Sequence, residues 1–224
     1  GAMPPDLVRA FNRRVVALVH HPLGLESGLP AQRAAELLAN EKAVLALCEA
    51  VIVTSHDTAR ILADEFSVPR DKISVAEPGN ERCLRAQGSG NAAPTIVAVG
   101  AISQRKGYDV LIDALGALKN FRWQLIIAGA TDRNQDIYRA LCKRVGERNL
   151  GGHVTFAGSL SDAALAQLYH VTDIFVMASH YEGYGMALTE ALARGLPIVT
   201  TLSGAAAVQA PGEAALKVPV NDPE

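Results

Sequence analysis

The sequence predicts an α/β protein made of two parallel-sheet halves. Three observations point to it. Short β-branched runs recur along the chain, Ala/Leu-rich stretches with a 3.6-residue period lie between them, and one segment breaks the rhythm. Strands that are apolar on both faces and alternate with helices imply a parallel sheet covered on each side. A chain of 224 residues can bury the core that such sheets need.

In order, the first half is expected to hold a strand at 15–19 (VVALV), a helix at 31–48 (AQRAAELLANEKAVLALC) and strands at 50–54 (AVIVT) and 72–76 (KISVA). Residues 77–94 (EPGNERCLRAQGSGNAAP) carry Pro, Gly, Ser and Asn without a hydrophobic period, so they read as a linker. Beyond it, strands are expected at 95–100 (TIVAVG), 123–129 (WQLIIAG), 153–158 (HVTFAG), 173–179 (DIFVMAS), 197–201 (PIVTT) and 215–219 (ALKVP). Helical stretches fall at 109–118 (DVLIDALGAL) and 162–169 (DAALAQLY). The expected division is residues 1–78, a hinge at 79–94, and residues 95–224. Each half reads as part of a Rossmann-type layer, and a cleft between two such halves is where a ligand is expected. The first half has few βα units and the second ends without a closing helix, so the chain reads as a piece of a longer protein.

With 49 % apolar and 20 % charged residues, the composition is that of a soluble globular protein. A net charge of -2 supplies no long-range pull toward nucleic acid or an acidic membrane. Cys48, Cys83 and Cys142 are odd in number and lack metal-ligand spacing, which fits reduced thiols in a cytosolic protein. No apolar run reaches the roughly 18–20 residues that span a bilayer, and no signal peptide opens the chain.

The chemistry concentrates at 180–201 (HYEGYGMALTEALARGLPIVTT), where Glu182 and Glu190 bracket Gly183 and Gly185 ahead of an apolar helix. One reading is plain loop geometry with solvated acids. A dinucleotide fingerprint needs a third Gly or Ala and then an acid about 20 residues on. Here Leu188 holds the third position and no acid occurs from 191 to 212, so that reading fails. No G-x-x-x-x-G-K-[ST] is present, which excludes a P-loop. Glycosidase carboxylates sit roughly 5–9.5 Å apart. Eight residues of continuous helix rise about 12 Å, which is too far. Glu182 is expected to precede the helix, however, so the spacing weighs against this reading without deciding it. A grip on a nucleotide-diphosphate sugar fits better. Glycines let backbone amides approach a ligand closely, and a helix starting near Gly185 aims its positive end at a pyrophosphate. Glu190, one turn in, can then accept hydrogen bonds from a ribose diol, and Glu182 can take hydroxyls of the sugar.

The stretch EGYGMALTE followed by ALARGLPIV resembles the donor-binding E-x7-E motif of family-4 retaining glycosyltransferases of the GT-B fold. Other pieces resemble the same family in the same order. IVAVGAISQRKGYDVLIDAL is similar to its phosphate loop, and VTFAGSLSDAALAQLYHVTDIFVMAS to its base-binding loop and following strand. VIVTSHDTARILADEFSVPRDKISVAEPG is similar to the end of the acceptor domain and the hinge. The resemblance implies that 1–78 is the C-terminal part of the acceptor domain and 95–224 the donor-binding domain.

It also implies roles. Glu190 would hold the ribose and Glu182 would lie by the donor sugar. Backbone amides from Gly183 through Tyr184 and Gly185 to Met186 would meet sugar hydroxyls, and those near Leu188 and Thr189 the phosphates. Gly158, Ser159 and Leu160 would present backbone to the nucleobase, whereas Asp173 reads as a cap or turn residue. The family's usual arginine is replaced by Ala101, its lysine corresponds to Lys106, and neighbouring Arg105 is expected to supply the missing charge. His20, in His-His-Pro, matches the family's histidine beside the reacting carbon. His21 stands in the place of an acid, and Glu26 is a candidate for the acceptor pocket. His56, His153, His170 and His180 read as surface or packing residues.

The implied reaction is transfer of a sugar from a nucleotide-diphosphate donor to a sugar, lipid or other hydroxyl acceptor with retention of configuration. No cofactor is implied, and with no Asp-x-Asp in the chain no metal is expected either. The same reading expects a cytoplasmic protein with no nucleic-acid partner and leaves open peripheral contact with the inner face of a membrane. The alternatives are a non-catalytic nucleotide-sugar-binding protein, or a nucleotide-sugar epimerase or phosphorylase of the same shape. The phosphorylase lacks a convincing pyridoxal-phosphate lysine.

Overall fold

The computed structural model describes residues 3–118 and 120–223. The chain divides into two compact units, Gly1–Gly79 with Glu182–Tyr184, and Asn80–Tyr181 with Gly185–Glu224.

The first unit runs α1 (Pro5–Ala10), β1 (Val16–Val19), α2 (Ala31–Leu47), β2 (Ala50–Val53), α3 (His56–Asp64) and β3 (Ile73–Val75). Its strands pair in parallel in the order β1-β2-β3. Helix α3 starts where the Ser55 hydroxyl accepts the Thr58 amide at 3.1 Å, the side-chain cap that a first helical turn needs. Val51, Val53 and Leu62 are fully buried between sheet and helix. The covering expected on both faces does not extend to β1. The pleat sends Val16 and Leu18 to the face opposite Val19, and they stay 55 % and 60 % exposed.

The second unit alternates β4 (Thr95–Val99), α4 (Tyr108–Ala117), β5 (Gln124–Ala128), α5 (Gln135–Glu147), β6 (Val154–Gly158), α6 (Asp162–His170), β7 (Ile174–Met177), α7 (Met186–Ala193), β8 (Ile198–Thr201), α8 (Ala206–Gln209) and β9 (Ala215–Val218). All its strands are parallel, in the order β6-β5-β4-β7-β8-β9. One cluster packs Leu111, Ile112, Leu125 and Ile127, and another packs Tyr169, Phe175, Leu188 and Ala191. Among the described residues the nine strands lie where the apolar runs place them. Helices α3 and α5 do not stand out from the sequence as α2 does. They are more polar, and their starts are marked by Ser55 and Asn134 rather than by an apolar run.

The topology creates one special place. From β4 the chain builds outward through β5 and β6, then crosses back to β7 on the other side of β4. The reversal of strand order puts the loops leaving β4 and β7 side by side at the carboxyl ends of the strands, the switch point at which open α/β sheets bind ligands.

Asp173 fastens the segment before β4. Its carboxylate accepts from the Ser89 amide at 2.9 Å, the Ser89 hydroxyl at 2.6 Å and the Thr95 amide at 2.7 Å. Burial acts to raise its pKa, but these hydrogen bonds outweigh it and hold the carboxyl below the usual range. A depressed pKa contributes stability above the unfolded value, and that stability is lost as pH falls through the folded one. Asp173→Asn should therefore lower the thermal midpoint at pH 7, with the gap to wild type narrowing below about pH 4. Thermal melts at neutral and acid pH will read this, and a gap constant with pH would refute it.

Candidate functional site

Three of the stretches singled out from the sequence, and one loop that was not, at 202–205, emerge at the carboxyl ends of the second sheet. Residues 101–107 follow β4, 159–161 follow β6, 178–185 follow β7 and 202–205 follow β8. The first and third of these border the switch point, and three contacts join them. The Arg105 guanidinium donates to the Tyr181 carbonyl at 2.7 Å, and the His180 amide donates to the Arg105 carbonyl at 2.8 Å. The third is the approach of Gly107 to Ala178. A Cβ at Gly107 would collide with the Ala178 carbonyl oxygen, and its φ of 60° is one that side chains disfavour. His180 packs beside the same glycine, in keeping with a packing role.

Lys106 is half-buried, with its ammonium 3.0 Å from where a Cβ on Gly100 would stand, so it lies over the end of β4. The Tyr108 hydroxyl donates to the Gly100 carbonyl at 2.8 Å and pins that strand end. Arg105, expected to replace the cation missing at Ala101, uses one of its donors to tie the two loops together.

Helix α7 begins at Gly185, whose left-handed φ of 91° turns the chain sharply into the helix. The Gly185 carbonyl accepts the amides of Leu188 at 2.9 Å and Thr189 at 3.1 Å. Those two amides, assigned to phosphates by the resemblance, are thus engaged within the helix. Met186 and Ala187 occupy the first helical positions, whose amides have no intrahelical acceptor. The Leu188 side chain is fully buried in the core, whereas Met186 is 44 % exposed. The Thr189 hydroxyl lies 3.2 Å from the Asn80 Oδ1 and donates to Met186 O at 2.9 Å.

Glu190 sits one turn into α7, half-buried. Its Oε2 accepts from the Tyr169 hydroxyl at 3.1 Å, and Arg194 donates to its main-chain carbonyl at 2.9 Å. The Arg194 guanidinium lies 4.5 Å from the centre of the Tyr169 ring. Neither Tyr169 nor Arg194 is legible as a site residue in the sequence. Tyr169 belongs to an apolar helix and Arg194 reads as a C-terminal charge on another.

Glu182, Gly183 and Tyr184 group with the first unit. Thr58 donates to the Gly183 carbonyl at 3.4 Å and the Tyr184 hydroxyl to Pro78 O at 2.8 Å. A Cβ on Gly183 would strike the His20 carbonyl oxygen, so His20 and this tripeptide are neighbours in that unit. His20 is exposed and Glu182 only 6 % exposed. His21 Nε2 lies 3.7 Å from a Glu26 carboxylate oxygen, so Glu26 sits beside that loop. At the end of β6, Gly158 takes a φ of 67° with open space about it, Ser159 is exposed and Leu160 is half-buried. Among the described residues no group of three or more His, Cys, Asp or Glu could hold a metal ion. Nor is any helix among them long and apolar enough to cross a membrane.

Comparison with known proteins adds a name to this geometry. The chain is 30 % identical to mannosylfructose-phosphate synthase of Agrobacterium fabrum over 186 residues, which is 75 % of this chain and 41 % of that protein. It is 30 % identical to the lipopolysaccharide core biosynthesis mannosyltransferase LpsB of Rhizobium meliloti over 172 residues, 70 % of this chain and 46 % of that one. The chain thus spans less than half the length of these curated relatives. Among solved structures it resembles sucrose-phosphate synthase from Thermosynechococcus elongatus, with TM-score 0.84 and 26 % identity over 97 % of this chain and 58 % of that one. The fold is also that of Anabaena HepE, solved in complex with UDP and glucose, with TM-score 0.83 and 18 % identity over 98 % of this chain and 61 % of that one. These neighbours are GT-B glycosyltransferases, so the two parallel sheets are GT-B architecture. Residues 81–224 match the glycosyl transferases group 1 family, and the chain belongs to that family.

Proposed function

We propose that this chain carries the donor-binding machinery of a retaining, metal-independent glycosyltransferase. One observation carries the reading: the loops after β4 and β7 are tied together at the switch point, with Lys106 on one and the start of α7 on the other. A nucleoside diphosphate fits this chemistry. The amides of Met186 and Ala187 and the positive end of α7 face developing negative charge, with Lys106 and Arg105 adding cationic charge. Glu190 accepts the ribose hydroxyls, and Gly158, Ser159 and Leu160 lie by the base.

In the proposed reaction the bond from the anomeric carbon to the diphosphate breaks and its electron pair leaves with the nucleoside diphosphate. The acceptor oxygen forms its bond to the same face of that carbon, and its proton passes to the departing phosphate oxygen. The acceptor is a sugar or another hydroxyl compound, and HepE, crystallised with UDP and glucose, illustrates such ligands in a protein of the same fold.

Calorimetry with UDP, GDP and ADP should find one diphosphate bound in preference, and EDTA should leave that binding unchanged. Lys106→Ala should weaken it about tenfold or more, the cost of one charge-assisted hydrogen bond. Failure to bind any of the three would overturn the reading, and a strict dependence on magnesium or manganese would overturn its metal independence.

A further inference from the structure

We propose that Tyr169 is a positioning residue for Glu190: its hydroxyl holds one carboxylate oxygen and leaves the other for a vicinal diol on the ligand. This rests on the reading of Glu190 as the ribose acceptor, and it adds selectivity to that reading.

The Tyr169 hydroxyl lies 3.1 Å from Glu190 Oε2 and 3.3 Å from the Ala187 carbonyl. The ring is fully buried, packed at 6.1 Å centre to centre against Phe175, with the Arg194 guanidinium 4.5 Å above it. Arg194 also donates to the Glu190 carbonyl, so ring, guanidinium and the carboxylate's own backbone form one closed set. A buried tyrosine has few ways to move, and its hydroxyl seeks a polar partner. Burial and then the Glu190 charge push its pKa upward, so it remains a donor across the working pH range. An unconstrained glutamate loses rotamer entropy each time it engages a diol, whereas one held by Tyr169 has already lost it. The expected gain is therefore in recognition of the diol rather than in general affinity.

The experiment compares wild type, Tyr169→Phe, Glu190→Ala and the double variant against whichever of UDP, GDP and ADP the wild type binds, and against its 2′-deoxy analogue. Tyr169→Phe should weaken the ribonucleotide about three- to tenfold, one hydrogen bond's worth, and the deoxy analogue much less. The discrimination between them should shrink, and in the Glu190→Ala background Tyr169→Phe should change nothing. Equal weakening of both nucleotides, or the same effect with Glu190 absent, would mean Tyr169 serves packing alone and would overturn the proposal. If Tyr169→Phe does not fold, Arg194→Met frees the ring while keeping the hydroxyl, and the same narrowing is expected of it; unchanged discrimination there counts against the proposal. Wild type binding no diphosphate would overturn the donor-site reading itself, a result distinct from either of these.

Discussion

Gly107→Ala is expected to cost about 3 kcal/mol or more of unfolding free energy and to abolish measurable nucleotide binding. Part of that cost is general, since a side chain at a φ of 60° is disfavoured by about 1–2 kcal/mol. The remainder is particular to this position. The new Cβ meets the backbone oxygen of Ala178, which cannot rotate aside as a side chain would, so the β7–α7 loop must move. That movement strains the bonds from Arg105 to Tyr181 and from His180 to Arg105, and it shifts the start of α7 away from Lys106. Gly158→Ala is the internal control, because Gly158 has a φ of 67° but nothing within 4 Å of its would-be Cβ. Urea denaturation of both variants separates the strain common to them from the collision found only at Gly107. Equal losses would mean the two loops part at no cost and that their junction does not organise the site.

Glu190→Ala should weaken nucleoside diphosphate binding about a hundredfold, equivalent to about 3 kcal/mol for two hydrogen bonds to a charged group. The fold should tolerate the change. Glu190 is only half-buried, and the Tyr169 hydroxyl keeps the Ala187 carbonyl at 3.3 Å as an acceptor. A thermal midpoint close to wild type, together with lost affinity in calorimetry, identifies Glu190 as a ligand contact. A large loss of stability with affinity retained would make it a structural partner of Tyr169.

Much of the architecture was legible from local pattern. Runs such as TIVAVG and WQLIIAG are apolar on both faces, and such a run is stable only inside a covered parallel sheet. β4 and β5 accordingly appear as neighbours, with Leu125 and Ile127 at most 1 % exposed. The same held for the start of α7, because Gly185 marks the turn and ALTEALA the helix. Glu190 could be singled out because a carboxylate one turn into a helix can accept a ribose diol and because EGYGMALTE resembles a donor-binding motif. An acid near a helix start also has structural uses. The polar helices α3 and α5 carried weaker signals, since short caps such as Ser55 and Asn134 also occur in ordinary turns.

Identity of residue types along the chain, then, was enough to say which runs become strands, where the glycines bend them, and which acids and cations stand at loop ends, for these are local preferences of backbone and side chain. It could not say that Arg105 reaches the carbonyl of Tyr181, 76 residues away, or that Tyr169 closes on Glu190 from a different helix. Nor could it say that the Leu188 and Thr189 amides are already taken by Gly185. Such pairings arise when sheet order carries distant loops to one edge. Strand order is set by the burial of the whole sheet, and no local window of sequence contains it.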